Sequence, residues 1–506
     1  MKRLIALILT LGMLMLSGCT QVEQSSVSGP PPTLGPAEAP YDAPLDTMAM
    51  SYTSSVPLYL PSLDGSRLLS ENVSVDLIHG EDPCSAIVHA LLSFRGNDAV
   101  SALGAGTTLH TLSRYPVEIS GSSCTVNLEA SALSLEPQDL YTVALSLAST
   151  LGAVTPVRAV NVLVNDRPVG LDLADILPMG SVSAHPGEDL AVLWEQMSAR
   201  KTPLGEDASV IPLTANVTLY FPTSDGTGFL PEVRSVTFSG QSTPVLAQGI
   251  IAALSNGSQY LDHVIAMPDL TSLMTQTPSV TELTGGGRLL NLYFEPEFLD
   301  RLELFGLSPA CVLASTVYTL ATFLPGVGGV RVFTGTSMLT SLYSAETGAM
   351  SFEDGIMRRR AFQSFLRDEA LIYTTDGTLL HPENRLVPAG SAGSPHSLLQ
   401  LLCTDGPEYR SALPFDLGAD DLLGLGLEGD TLLMNLSEKA RSGFASLDFA
   451  HQQLAVYSMV LTFCTATGTR RLRLFFDGDV LDSLGTELYF GGEFLLNHVL
   501  VDSNRG

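Results

Sequence analysis

Apolar and polar positions come round three times along this chain in the same order. A strand-like phrase, LYLPSLDG at 58–65, returns as LYFPTSDG at 219–226 and, two residues shorter, as IYTTDG at 372–377. Its tyrosines, Tyr59, Tyr220 and Tyr373, stand 161 and 153 residues apart. Those intervals are domain-sized, so each copy can carry its own core instead of stacking as a solenoid. From the Asp of each Asp-Gly pair to a following proline is 19 residues every time: Asp64 to Pro83, Asp225 to Pro244, Asp376 to Pro395. Each proline opens an apolar run of helical type, PCSAIVHALL, PVLAQGIIAAL and PHSLLQLL. Proline suits the first helical position because its missing N–H would have no intrahelical acceptor there. An Asn-Leu pair inside a strand-like stretch follows at Asn127, Asn291 and Asn435. Then come a longer helix-like segment and a β-rich closing phrase, VNVLVNDRPV, VRVFTGTS or LRLFFDGDVL.

One unit therefore reads strand, turn, extended segment, helix, hairpin, helix, strand. The expected fold is α+β with three tandem repeats, each a small mostly antiparallel sheet packed by two helices. Each helix should bury one strongly apolar face, and each Leu or Ile so buried contributes ~1.5–3 kcal/mol. A charge at Ile250 or at Leu401 is expected to unfold its unit. The division expected is 54–172, 214–345 and 368–500 for the repeats, with linkers at 173–213 and 346–367. The linker around Trp194 has the pattern of a short helix. The one at 346–367 is short enough to dock repeats 2 and 3 together.

The N-terminus has a different pattern. Lys2 and Arg3 precede an apolar run of 13 residues from Leu4 to Leu16, and small residues end at Cys19. That order is a secretory signal over residues 1–18, and the run is short of the ~20 residues a spanning helix needs. Leu16-Ser17-Gly18-Cys19 resembles the lipobox of bacterial lipoproteins, which implies that Cys19 is acylated and becomes the mature N-terminus. At ~0.8 kcal/mol per buried CH₂, several acyl chains would hold the protein at a membrane. Residues 19–53, rich in Pro, Ser, Gly and Ala, read as a semi-extended tether.

The combined order of an LYFP-type strand, an Asp-Gly turn, the LPEVRSV stretch at 230–236, a Pro-led helix and a later Asn-Leu strand resembles the GerM domain, the sporulation and spore germination domain family. The second repeat carries the resemblance most fully. In the third, HPENRLVP stands in place of the LPEVRSV type of stretch. The resemblance implies an extracytoplasmic, lipid-anchored protein of the cell envelope, with a role in sporulation or spore germination near peptidoglycan.

Composition and candidate chemistry narrow this further. With 53 acidic against 25 basic residues the chain carries a formal charge of −28, and loss of Lys2 and Arg3 with the signal takes it to −30. Nucleic acid is not an expected partner, because phosphate binding needs clustered bases and the densest cluster is Arg358-Arg359-Arg360. That triplet reads as a solvated or interdomain ion-pair patch. Beyond Cys19 there are five cysteines, of which Cys84 with Cys124 and Cys403 with Cys464 could pair within a repeat or stay as buried thiols. GLGLEG at 424–429 has dinucleotide-loop spacing but precedes a strand, as do Gly285, Gly286 and Gly287, so both read as hairpin turns. His79, Cys84 and His89 lack a fourth ligand and the paired spacing of a zinc site. No Gly-x-Ser-x-Gly elbow, HExxH helix or Walker loop is present. Asp64, Asp225 and Asp376 are the shared polar candidates, and a turn-forming role accounts for them. The expectation is a binding or scaffolding protein with no catalytic residue, metal or cofactor, whose partners are the membrane through its anchor and peptidoglycan or envelope proteins. An extracellular ligand-capture lipoprotein is the alternative, and a cell-wall hydrolase ranks below it.

Overall fold

The computed structural model describes residues 42–45, 51–78, 81–104, 107–113, 116–172, 176–284 and 287–502. The signal run, Cys19 and most of the tether lie outside the described residues, as do His79, Gly285 and Gly286.

Repeat 1 opens with an antiparallel hairpin of β1 (Ser51–Pro61) and β2 (Leu68–Ile78), followed by α1 (Cys84–Ser93). A four-stranded sheet comes next, built from β3 (Val117–Ser120), β4 (Ser123–Leu128), β5 (Ala159–Val164) and β6 (Arg167–Pro168), adjacent in that order. Strand β4, which carries Asn127, lies antiparallel to β3 but parallel to β5. A parallel pair needs a long crossover, and α2 (Pro137–Val154) supplies it. After the linker helix α3 (Leu190–Ser198), repeat 2 runs through β7 (Leu213–Pro222), β8 (Phe229–Phe238), α4 (Thr243–Ser255), β9 (Ser279–Glu282), β10 (Arg288–Phe294), α5 (Phe298–Leu304), α6 (Pro309–Phe323), β11 (Val327–Thr334) and β12 (Ser337–Met338). A small hairpin of β13 (Ser341–Ser344) and β14 (Gly348–Ser351) and a 3₁₀ turn at Arg359–Phe365 lead to repeat 3. Its elements are β15 (Arg367–Thr375), β16 (Leu380–Pro388), α7 (Pro395–Leu402), β17 (Leu422–Glu428), β18 (Thr431–Leu436), α8 (Glu438–Ala445), α9 (Phe449–Thr467), β19 (Arg471–Phe476) and β20 (Phe494–Leu495). The fold is α+β, and in each repeat the parallel strand pair among the described residues is the one spanned by the long crossover helix.

Each repeat has a Pro-led helix and a long crossover helix of a different kind, and repeats 2 and 3 add a short helix before the crossover, α5 and α8. Helices α1, α4 and α7 are amphipathic as the pattern predicts, with Ile250 fully buried in α4. In α7 the buried side chains are Leu398, Leu399 and Leu402, while Leu401 is half-buried against the rim of that core, so a charge there keeps partial access to solvent. The crossover helices are buried nearly all round, and in α6 every residue from Ala310 to Phe323 is. A helix apolar on all sides has to be enclosed, here between its own hairpin and the following linker. No single helix among the described residues is long and apolar enough to cross a membrane.

Linkers hold the repeats together. One continuous core joins repeats 1 and 2, and repeat 3 has its own. Helix α3 starts on an Asp189 cap that accepts from Ala191 N at 2.8 Å, and Trp194 packs on Tyr141 of α2 with ring centroids 6.1 Å apart. Ahead of it, Val182 bridges to Val160, and Gly180, at φ +73°, passes so close to the next hairpin that a Cβ would stand 2.5 Å from the Asn216 carbonyl oxygen. The linker at 346–367 is tight, but Phe362 and Phe365 enter the core of repeats 1 and 2 rather than that of repeat 3.

Candidate functional site

The aspartates common to all three repeats serve the turns of their own repeat. Asp64 Oδ1 accepts from the Ser62 hydroxyl at 2.6 Å and from Ser66 N at 3.0 Å. Asp225 accepts from Thr223 and Thr227, and Asp376 from Thr378 and Leu379. These bonds pull the Asp64 carboxyl down to about 2, the Ser62 hydroxyl contributing most. Asp376 is held well below the usual range, first by the Leu379 N–H. The buried Asn127 and Asn435 hold the turn after the parallel strand: Asn127 Oδ1 accepts from Asp166 N at 3.1 Å and Asn435 Oδ1 from Gly478 N at 3.0 Å.

A third recurring feature lies in the crossover helices, where Ser and Thr stand four apart on one face: Ser146 and Thr150, Ser315 and Thr319, Ser458 and Thr462. In each repeat at least one of these hydroxyls meets the backbone of the opening tyrosine. Tyr59 N donates to Thr150 Oγ1 at 2.9 Å and Tyr220 N to Thr319 Oγ1 at 3.1 Å, while Ser315 and Ser458 donate to the carbonyls of Tyr220 and Tyr373. Each opening hairpin has only two strands, so its inner edge would otherwise bury unpaired groups. The spacing is present in the sequence; its meaning depends on which strand the helix crosses.

Where the three segments meet, Glu118 of β3 is buried against Arg359 of the linker at 346–367. Its carboxylate also accepts from Tyr318 Oη of α6 at 2.7 Å and from Gln363. The Arg359 guanidinium lies 4.0 Å from the centre of the Tyr318 ring and donates to Thr322 at 3.0 Å. Burial alone would weaken its hold on the proton, but Glu118 more than reverses that and its pKa is raised. Of the arginine triplet it is thus the middle residue that forms the interdomain ion pair.

The thiols are not poised for chemistry. All five described cysteines are unpaired with one another, and four are buried. Burial pushes Cys311 and Cys464 up to about 11 and raises Cys84 and Cys124 further, which keeps them protonated. His89 is exposed on α1, and no group of three potential metal ligands occurs among the described residues.

Two clefts remain. One of about 500 Å³ runs between β2 and α1 and includes Asp76, His89 and Arg95. The roomier one, about 730 Å³, lies inside repeat 3 and includes Asp376, Glu408, Arg410, Asp448 and His451. It opens where a loop bridges to the Asp-Gly turn. The same bridge occurs in every repeat, but its loop residue is Val100 in repeat 1, Val264 in repeat 2 and the exposed Arg410 in repeat 3. Beside it Tyr409 stacks on His381 at 3.9 Å. Asp448, the cap of α9, accepts from His451 N at 3.0 Å and sits 2.7 Å from its Nδ1. Carboxylates, a guanidinium and an imidazole lining one cleft suit a ligand with charges of both signs. In the same cleft the Ser446 hydroxyl donates to the Gly443 carbonyl.

No protein-family profile matches the chain, and no curated protein matches it. Among solved structures, the tandem GerMN domains of the sporulation protein GerM from Bacillus subtilis are 18% identical with a TM-score of 0.21, covering 61% of this chain and 99% of that one. A Clostridium perfringens chain described as a lipoprotein is 18% identical with a TM-score of 0.17, covering 26% of this chain and 87% of that one. Likeness at this level leaves function to be argued from the chain itself. The sequence assigns no binding residues, and the cleft explains why: Asp376, Arg410 and His451 are brought together from segments far apart in the chain.

Proposed function

We propose that this chain is a membrane-anchored lipoprotein of the cell envelope, acylated at Cys19, whose three GerM-like repeats bind or scaffold envelope components near peptidoglycan in sporulation or spore germination. The observation that carries the non-catalytic reading is the fate of the recurring polar residues. Asp64, Asp225 and Asp376, and at least one crossover hydroxyl in each repeat, bond the backbone of their own repeat, so what is repeated is a framework and not a reaction centre. On that framework the bridging loops differ: Val100 is buried in the core of repeat 1, Val264 is partly buried in repeat 2, and Arg410 is exposed in repeat 3, so the repeats present different surfaces there. The acidic balance of the chain disfavours simple ionic attachment to anionic wall polymers, so contacts to the wall rest on shape and hydrogen bonding.

Ligand capture is the second reading, favoured by the mixed-charge cleft of repeat 3. That cleft lies within one repeat rather than between two, which keeps scaffolding first. Membrane fractionation tests the anchor: the native chain should pellet with membranes and Cys19→Ala should not, and equal partitioning of the two would refute acylation there.

A further inference from the structure

Strand β17 carries glycine where its counterpart in repeat 2 carries hydroxyls. There the Asn291 side-chain amide donates to Ser279 Oγ at 3.1 Å and Thr281 Oγ1 at 2.9 Å. Both residues lie on β9, Ser279 opposite Asn291 and Thr281 opposite Leu289. In repeat 3 the same register sets Gly424 opposite Asn435 and Gly426 opposite Leu433. Neither glycine has the left-handed backbone that would call for one. The space is taken instead by the chain's own Pro44. Its carbonyl accepts from Asn435 Nδ2 at 3.0 Å, replacing the missing hydroxyls. A Cβ at Gly424 would stand 2.0 Å from that oxygen and 2.8 Å from Leu45 N, and one at Gly426 would lie 3.5 Å from Pro44 Cβ. The amide of a fully buried asparagine needs such an acceptor.

We propose that the glycine-lined outer strand of repeat 3 is a docking seat for tether residues 42–45 of this same chain. Chain geometry favours the chain's own segment over that of a second copy. Only five residues separate Leu45 from Ser51, a gap of at most about 22 Å when fully extended, so a docked tether needs repeat 1 close to repeat 3. The two repeats do meet: Gly121 N donates to Asp368 Oδ1 at 3.1 Å, and the Ser120 hydroxyl to the Arg367 carbonyl. The tether is then a strap fastening the first repeat to the third. The glycine spacing that imitates a dinucleotide loop makes room for it.

The test places a photo-crosslinking amino acid at position 45, where the side chain is exposed, in the purified full-length chain, and maps the crosslinked peptides by mass spectrometry. The expected product joins position 45 to residues 422–436 within a single chain. In Gly424→Ser it should be lost, while the new hydroxyl serves Asn435 as Ser279 serves Asn291 and keeps repeat 3 folded. A crosslink between two chains, a crosslink away from repeat 3, or an undiminished yield in folded Gly424→Ser would each overturn the proposal. Mapping the unsubstituted chain decides the matter even where Gly424→Ser does not fold.

Discussion

At the scale of single residues, the repeated polar positions divide by how far away their partners lie. Asp64 takes its hydrogen bonds from residues two positions to either side, so its turn role is legible in the sequence. Its folded pKa, about 2, lies below the ordinary carboxylate value. Its contribution is therefore fully present above about pH 4 and lost as pH falls toward 2. Asp64→Asn should lower stability at neutral pH, with the gap to the native chain closing near pH 2 in acid-denaturation curves. A gap constant across that range would contradict the bonding described. Asn435 is the opposite case, since the acceptor of its amide is Pro44, 391 residues away in the chain. A pattern of Asn-Leu pairs shows that the residue recurs, but not that each repeat satisfies it differently.

At the scale of elements, strands, amphipathic helices and Asp-Gly turns are readable because they depend on local periodicity and turn chemistry. The parallel pairing of β4 with β5, and of its counterparts, is not, because a strand's neighbour depends on the crossover between. The Ser and Thr pairs of the crossover helices are hidden in the sequence for the same reason, standing among apolar residues with no local partner to suggest a role. They carry a prediction. Thr319→Val keeps the shape of the side chain but strips the buried Tyr220 N–H of its acceptor, and should cost about 1–3 kcal/mol in denaturant unfolding. An unchanged unfolding free energy would show that the edge of β7 is satisfied in another way. The apolar pattern overstates the burial of Leu401 because one residue's step turns a helix by about 100°, enough to separate core from rim. Helix α7, with only eight residues, is too short for its pattern to fix that phase.

At the scale of the whole molecule, the linkers are structural parts. Arg359 joins Glu118 of repeat 1 to Tyr318 of repeat 2, and Arg367 donates to the Thr227 carbonyl of the repeat 2 turn at 2.6 Å. Arg359→Met would leave a buried carboxylate without its counter-charge, and should destabilise repeats 1 and 2 together by about 3–5 kcal/mol. Differential scanning calorimetry should show their shared transition moving down while that of repeat 3 stays. Movement of all transitions equally would mean that the three cores unfold as one. Repeats braced together by their linkers in this way fit the proposed scaffold, anchored through Cys19. The most direct test of that account is to follow the tagged protein in its own organism through growth and spore formation, beside Cys19→Ala. Concentration at the developing spore envelope, lost in the Cys19→Ala chain, is the predicted result; a uniform distribution that the substitution leaves unchanged would contradict it.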